Sequence, residues 1–399
     1  MIEDFFQRTR AMFDLPKGVV YLDGNSLGAM PKSARERVLH ELDESWGREL
    51  IRAWNTAGWI DLPARVGDRI GALIGAPKGS VVAGDSTSVN LFKALLAALE
   101  LAAPRKVILS DSGNFPTDLY VAEGVCRLLG RGHELRVVDP KAVECALNEG
   151  VGVLMLTEVD YRTGRKHDMR LLTEKAKALG VVILWDLAHS AGAFPVDLAG
   201  CGVDFAVGCG YKYLNGGPGA PAFIYVRPDL QASVAPALSG WMGHAAPFAF
   251  ELGYRPAPAV DRLRVGTPPV LSMSALDAAL DVFEGVDMLA LQERSIALSE
   301  DFIRRIEADC PELQLASPRD SAWRGSQVSF RFTEGYAAMQ ALIARGVIGD
   351  FREPDVMRFG FAPLYIGFSD VEMAARTLVE IVGRRLWDRP EYRARNKVT

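Results

Sequence analysis

The most regular feature of the chain is a series of short apolar runs separated by more polar segments. The runs VGVLMLT (151–157) and VVILWD (181–186) are apolar almost throughout, which is typical of strands that are buried on both faces of a parallel sheet. The segment Met169–Leu179 between them is predicted to be a helix. Strands that alternate with helices on this scale predict an α/β fold with a mostly parallel sheet flanked by helices.

The pattern changes after about residue 271. Helices, a strand at Gln327–Phe332 and a further helix at Tyr336–Arg345 are followed by a segment, 347–370, that is predicted to be a loop before a last helix. This order predicts a smaller α+β domain. We therefore expect an N-terminal segment joining the small domain (1–58), a large domain (59–271) and a small C-terminal domain (272–399).

Composition narrows the class of protein. The 399 residues are 49% hydrophobic and 24% charged, with a formal net charge of −5, which is ordinary for a globular protein. Neither a block of basic residues nor a long apolar run is present, so no nucleic-acid or membrane partner is expected. Five scattered cysteines without metal-ligand spacing predict reduced thiols, no metal site and a cytoplasmic location.

Two apolar runs end on residues that could carry chemistry. The first ends at Asp186, and the second, VDFAVG (203–208), leads to Tyr211 and Lys212. One crossover between neighbouring parallel strands would place the acid and the lysine at the edge where open α/β sheets bind ligands. Pyridoxal phosphate needs an amine for its aldehyde and a carboxylate that keeps its ring nitrogen protonated. The pair alone is equally compatible with a core aspartate and a surface lysine.

Other residues extend this hypothesis. Thr87 and Ser88 stand at the start of a helix, where hydroxyls and free N–H groups could hold the cofactor phosphate or simply cap the helix. Phe115 could stack on the pyridine ring or belong to the core, and Asp118 could be an ordinary acid of a first helical turn. Trp54 and Asn55, in a segment predicted to be irregular, could line an aromatic substrate site.

Nine segments in this order resemble the kynureninase family, which belongs to the fold type I enzymes that depend on pyridoxal phosphate. The resemblance covers nearly the whole chain. The segments are YLDGNSLG (21–28), DSTSVN (85–90), NFPTD (114–118), TEVDYRTGRKHDM (157–169), WDLAHSAGA (185–193), GCGYKYLNGGPG (208–219), SGWMGH (239–244), RVGTPP (264–269) and RFGFAPLY (358–365).

The resemblance implies a role for each matching residue. Lys212 would form the Schiff base, and Arg358 would bind the substrate carboxylate. Trp241 and Thr267 would reach the phosphate across the interface of a homodimer. The remaining residues would surround the cofactor: Thr87, Ser88, Phe115, Asp118, Thr157, Asp186, His189 and Tyr211.

The activity implied is hydrolysis of the Cβ–Cγ bond of L-kynurenine to anthranilate and L-alanine, with Tyr211 as a candidate proton donor. Animal members carry a histidine in the segment that corresponds to residues 47–50, whereas this chain has none there. Its Trp54-Asn55 pair resembles the bacterial form, which favours kynurenine but leaves 3-hydroxykynurenine open.

Three alternatives remain at this point. A cysteine desulfurase or selenocysteine lyase would need a nucleophilic cysteine on a C-terminal loop, and Cys310 lacks such a context. An aminotransferase fits the motifs less well. A non-catalytic effector domain that binds pyridoxal phosphate would be expected to follow a DNA-binding segment, which the first 20 residues do not resemble.

Overall fold

The computed structural model describes residues 2–395 and contains two main sheets and a small strand pair. The strands are β1 (Val20–Tyr21), β2 (Val81–Ala83), β3 (Val107–Asp111), β4 (Glu134–Val138), β5 (Val151–Thr157), β6 (Val182–Asp186), β7 (Phe205–Gly208), β8 (Phe223–Val226), β9 (Gln314–Leu315), β10 (Gln327–Arg331), β11 (Val347–Ile348), β12 (Asp350–Arg352) and β13 (Val356–Gly360).

Helices surround these sheets. They are α1 (Ile2–Ala11), α2 (Lys32–His40), α3 (Ala53–Thr56), α4 (Leu62–Leu73), α5 (Thr87–Leu101), α6 (Pro116–Leu129), α7 (Val143–Ala146), α8 (Met169–Ala178), α9 (Leu198–Cys201), α10 (Val270–Ala279), α11 (Met288–Asp309), α12 (Gly335–Ile343), α13 (Phe368–Gly383) and α14 (Pro390–Arg393). A π-helical segment, Glu41–Glu49, continues α2. None of the helices described is both long and apolar enough to cross a bilayer.

The large sheet confirms the predicted α/β architecture. Its strand order is β2-β8-β7-β6-β5-β3-β4, and the pairs from β7 to β4 are all parallel. β8 is antiparallel to both β7 and β2. β5 and β6 are buried along most of their length, which explains why their sequences do not alternate between apolar and polar residues.

The segment 347–370 contains three strands, β11, β12 and β13, so its prediction as a continuous loop was wrong. β12 and β13 form an antiparallel hairpin, and β13 then pairs with β10 in the small sheet. The turn Glu353-Pro354-Asp355 is short enough to join the two strands directly, while the polar residues Asp350 and Arg358 mask their apolar pattern. The predicted irregular segment at Trp54-Asn55 is also corrected, because both residues lie on the one-turn helix α3.

The N-terminal segment packs against the C-terminal strand β11 and, on its other side, against helix α10. β1 pairs in parallel with β11, and the Thr9 hydroxyl donates a 2.9 Å hydrogen bond to the Leu364 carbonyl. On the other side, α2 contacts α10. The boundary expected after residue 271 falls inside α10, and the three-part domain division stays a prediction.

Asp277 on α10 is a buried carboxylate that three arginines of the N-terminal region contact. It lies 3.1 Å from Arg65, 3.0 Å from Arg69 and 3.5 Å from Arg37. The carboxylate therefore ties α2 and α4 to α10 by charge-assisted hydrogen bonds.

We predict that Asp277→Asn lowers the free energy of unfolding by about 2 kcal/mol, measured by chemical denaturation. This is less than the cost of breaking a fully buried pair, because the three arginines can still reach water. Asp388→Asn is the matched control, since Asp388 pairs with Arg385 and Arg393 at the surface. An unchanged midpoint in Asp277→Asn would contradict the assignment.

Candidate active site

Asp186 and Lys212 meet at the carboxyl edge of the large sheet, as the sequence predicted. Asp186 is the last residue of β6, and β6 pairs in parallel with β7, which leads to Lys212. The Asp186 carboxylate accepts a 2.7 Å hydrogen bond from the Ala188 N–H. Burial raises the pKa of Asp186, while the charge of Lys212 and the Ala188 N–H oppose that rise. Lys212 and the Ala188 N–H thus favour the charged form of a carboxyl group that burial disfavours.

A cavity surrounds this pair. Nine predicted site residues line it together: Thr87, Ser88, Phe115, Asp118, Thr157, Asp186, His189, Tyr211 and Lys212. They come from the ends of three strands, β5, β6 and β7, and the starts of two helices, α5 and α6. Thr117, Tyr161 and Ala188 complete the wall.

The lysine amine faces both a histidine and an aromatic ring. Its Nζ lies 3.0 Å from His189 Nε2 and 6.0 Å from the centre of the Phe115 ring. Burial first, and then the charge of Lys212, lower the pKa of His189 well below its usual value. A neutral His189 therefore accepts a hydrogen bond from Lys212 through Nε2, and its Nδ1 has no partner among the residues described.

A second carboxyl group, Asp118, lies close to Asp186. Burial and the negative charge of Asp186 raise the pKa of Asp118 well above its usual value, and Lys212 only partly offsets this. Its Oδ2 atom makes no hydrogen bond in the part of the chain described. Because two ionised carboxylates this close repel each other, the site favours the neutral form of Asp118.

The start of α5 faces the same cavity. Ser86 is the N-cap, and its hydroxyl accepts a hydrogen bond from the Val89 N–H at 3.3 Å. Capping thus uses Ser86, and the hydroxyls of Thr87 and Ser88 stay available for a ligand. Together with the positive end of the helix dipole, they make a seat for an anion. Asp85, which precedes the cap, is held by a 2.7 Å ion pair with the buried Lys93.

The loop that carries Lys212 is fixed by the N-terminal segment. The Gly28 N–H donates a 2.8 Å hydrogen bond to the Tyr211 carbonyl. A Cβ atom at position 28 would lie 2.3 Å from the Lys212 carbonyl oxygen, so this close approach of two backbones requires glycine.

Five predicted site residues do not line this cavity. Arg358 is buried beside it, and its Nη1 donates a 2.5 Å hydrogen bond to the carbonyl of Tyr161, which does line it. Thr267 and Trp241 are exposed residues of the loop between β8 and α10. Trp54 packs edge-on against Trp59, with ring centres 5.8 Å apart, and Asn55 follows it on α3.

Sequence reasoning missed Tyr161 as a cavity residue. Its ring packs edge-on against Phe115, with ring centres 5.1 Å apart, and so fixes the tilt of that ring. The signal was present, because Tyr161 lies inside the matching segment TEVDYRTGRKHDM. Asp350 and Ser26, which hold Arg358, were also missed.

Solved structures show which fold this is. Cysteine desulfurase CsdA from Escherichia coli superposes with a TM-score of 0.79 at 22% identity and covers 96% of this chain and 98% of its own. A mutant of C-DES with glycine covalently linked to its PLP cofactor gives a TM-score of 0.79 at 17% identity, over 93% and 99% of the two chains. The fold is that of the fold type I enzymes that use pyridoxal phosphate.

Sequence comparison gives the family. Kynureninase from Pseudomonas fluorescens is 50% identical over 404 residues, covering 100% of this chain and 97% of that protein. Kynureninase from Burkholderia pseudomallei (strain 1106a) is 50% identical over 98% of this chain and 95% of its own. The family model "Kynureninase C-terminal domain" matches residues 291–378. The chain belongs to the kynureninase family.

The protonated Asp118 gives the apoprotein a measurable pH dependence. Because its pKa is raised in the folded state, the folded chain binds one more proton than the unfolded chain once pH exceeds about 4. The free energy of unfolding should therefore fall by up to about 1.4 kcal/mol per pH unit until folded Asp118 ionises. We predict that Asp118→Asn removes this contribution. Denaturation at several pH values tests it, and parallel pH profiles for the two proteins would contradict it.

Proposed function

We propose that this chain hydrolyses L-kynurenine to anthranilate and L-alanine with pyridoxal phosphate as cofactor, as a step of tryptophan catabolism. The observation that carries the proposal is the joint placement of Lys212, Asp186, Asp118 and Phe115 in one cavity of a chain that matches kynureninases over its full length. The unsubstituted substrate is favoured over 3-hydroxykynurenine because the segment 47–50 has no histidine.

The cavity fits the cofactor. Asp186 would pair with the ring nitrogen, Phe115 would cover the ring, and Thr157 would lie near the ring hydroxyl. Thr87, Ser88 and the unpartnered His189 Nδ1 provide donors for a phosphate. When bound, pyridoxal phosphate supplies an aldehyde that condenses with amines and a ring that withdraws electrons from the amino-acid carbon.

Side chains of the protein would carry out the binding and proton-transfer steps of the reaction. Lys212 Nζ, which donates to a neutral His189, would bind the cofactor and then take the proton from the substrate Cα. Arg358 would bind the α-carboxylate. Burial raises the pKa of Tyr211, so its hydroxyl stays protonated and would donate a proton to the alanyl fragment after the Cβ–Cγ bond breaks. Water supplies the hydroxyl group of the anthranilate carboxyl, which balances the reaction.

The desulfurase alternative is weaker. Such an enzyme needs a reactive thiolate beside the cofactor, and none of the residues that line the described cavity is a cysteine. Cys310 is buried, and burial together with the charge of Glu312 raises its pKa to about 12. A thiol of that kind is inert at neutral pH.

We further propose a homodimer in the cytoplasm, with Trp241 and Thr267 completing the site of the partner subunit and Trp54 and Asn55 serving the aryl end of the substrate. Trp241 is 41% exposed and stands 5.7 Å from the Phe248 ring, which is 61% exposed. Phe250 and Leu252 on the same loop are also exposed. Contiguous apolar surface of this kind is typical of protein–protein contacts.

The central test uses the purified protein loaded with pyridoxal phosphate. We predict that L-kynurenine yields fluorescent anthranilate at rates of about 1 s⁻¹ or more, within the usual range for enzymes. Lys212→Ala should lose both turnover and the visible absorption band of the lysine-bound cofactor. If the band is present and no anthranilate forms, the substrate assignment fails while the cofactor assignment stands.

Shared active sites can be tested by complementation. We predict that Lys212→Ala and Thr267→Ala proteins are each weakly active or inactive, and that unfolding and refolding them together restores activity. In a mixed dimer, one site would receive both the intact Lys212 of one subunit and the intact Thr267 of its partner. Refolding each variant alone is the control. Activity no higher in the mixture than in the controls would show that each chain builds its site alone.

A further inference from the structure

Arg358 is one of the largest fully buried side chains, with only 1% of its surface exposed. Its Nε donates a 2.6 Å hydrogen bond to Asp350 Oδ1, and its Nη2 donates to Asp350 Oδ2. The register of the hairpin places these residues directly opposite each other on β12 and β13. The guanidinium is therefore held along one edge by a carboxylate in the bidentate geometry that Arg favours.

Two further segments fix the other edge of the guanidinium. Nη2 donates a 2.9 Å hydrogen bond to the Ser26 hydroxyl, and Nη1 donates to the Tyr161 carbonyl at 2.5 Å. Ser26 in turn donates its hydroxyl proton to Asp350. A guanidinium has five N–H donors, and these contacts use four of them. Nη1 thus contacts the backbone of Tyr161, a residue that lines the cavity.

The charges around this arginine do not cancel. Arg352 lies 3.0 Å from Asp350, so two guanidinium groups share one carboxylate. A second acid, Asp23, is half-buried at the same place, and its buried Oδ1 atom has no hydrogen-bond partner among the residues described. Burial and the charge of Asp350 raise the pKa of Asp23 to about 8, which leaves it neutral at pH 7. The cluster then carries one net positive charge, which matches a single carboxylate ligand.

We propose that Asp350 and Ser26 are positioning residues that aim the Nη edge of Arg358 at the α-carboxylate of the amino-acid substrate. Asp350 holds the side-on edge, so a ligand would bind at Nη1 and Nη2, where one N–H donor of Nη1 is not used by the contacts described. When the ligand binds Nη2, the Ser26 hydroxyl gives up its contact with Nη2 and keeps its hydrogen bond to Asp350. This inference rests on the proposed function, because it assigns the substrate carboxylate to Arg358.

The main test is Asp350→Asn in the protein loaded with pyridoxal phosphate. The amide keeps the shape of the side chain but cannot accept both N–H groups of the fork. We expect KM for L-kynurenine to rise about tenfold, the effect of losing one charge-assisted hydrogen bond, with kcat within about twofold of the wild type. The matched control is Asp355→Asn, since Asp355 pairs with Arg331 in the same small sheet but at its surface.

A double-mutant cycle separates positioning from a merely structural role. If Asp350 acts through Arg358, Asp350→Asn should add nothing to the KM of Arg358→Gln. An unchanged KM in Asp350→Asn, or the same fold-change in both backgrounds, would overturn the proposal. If Asp350→Asn does not fold, Asp350→Glu serves instead, because it keeps the charge but displaces the carboxylate that holds the Arg358 guanidinium. Its KM should rise as well. A wild-type KM in Asp350→Glu would also overturn the proposal.

Asp23 gives an independent readout through pH. As pH rises through about 8, Asp23 ionises and cancels the net positive charge around Arg358. The KM for L-kynurenine should therefore rise. Asp23→Asn should abolish that rise. An identical pH profile of KM in Asp23→Asn and the wild type would overturn the charge argument. The titratable or charged groups that face Asp23 are Tyr21, Tyr213, Asp350, Arg352, Arg358 and Tyr365.

Binding of L-alanine distinguishes failure of this inference from failure of the proposed function. Its dissociation constant can be followed by the change in the visible absorption of the loaded protein, without any turnover. If L-kynurenine is not cleaved but Asp350→Asn weakens L-alanine binding about tenfold, the positioning role stands and the substrate assignment falls. If L-kynurenine is cleaved and L-alanine binds both proteins equally, the positioning role falls.

Discussion

The site depends on keeping charge in a place where water is scarce. Asp186 is buried at the end of β6, and two things make its charge tolerable there: the nearby Lys212 and the hydrogen bond from the Ala188 N–H. Asp118 meets the same constraint in the opposite way, by remaining neutral. A buried charge without such partners would cost several kcal/mol. The parallel pairing of β6 and β7 makes the compensation possible because it brings the acid and the lysine to one edge.

The same principle recurs around Arg358 with the signs reversed. There the two arginines exceed the ionised acids by one charge, and the neutral Asp23 preserves the excess. In the proposed function, one region would provide a negative charge for the protonated cofactor ring, and the other would provide a positive charge for the substrate carboxylate. Tyr161 connects the two regions, because it lines the cavity and its carbonyl accepts a hydrogen bond from Arg358.

Much of the large sheet and its cavity could be predicted from the sequence, because both rest on local signals. Apolar runs predicted β5 and β6, and the residues at the strand ends were the ones that line the cavity. The strands β12 and β13 could not be predicted, since Asp350 and Arg358 interrupt their apolar pattern and are buried only because they neutralise each other across the hairpin. The pairing that makes this burial possible leaves no periodic trace in the sequence. The proposed roles of Trp241 and Thr267 involve a second chain and stay predictions.

The pairing of β1 with β11 has a consequence for how the protein is made. Val20 lies beside Val347, and Gly28 on the same segment supports the backbone of the Lys212 loop. During synthesis the N-terminal segment must therefore wait, unpaired, until nearly the whole polypeptide has left the ribosome. The large sheet can fold earlier because its strands are contiguous in the chain, as domains commonly do. A nascent chain would then form the lining of its cofactor pocket early and gain the N-terminal support of the Lys212 loop late, and a truncated product would hold Lys212 in a loop that lacks this support.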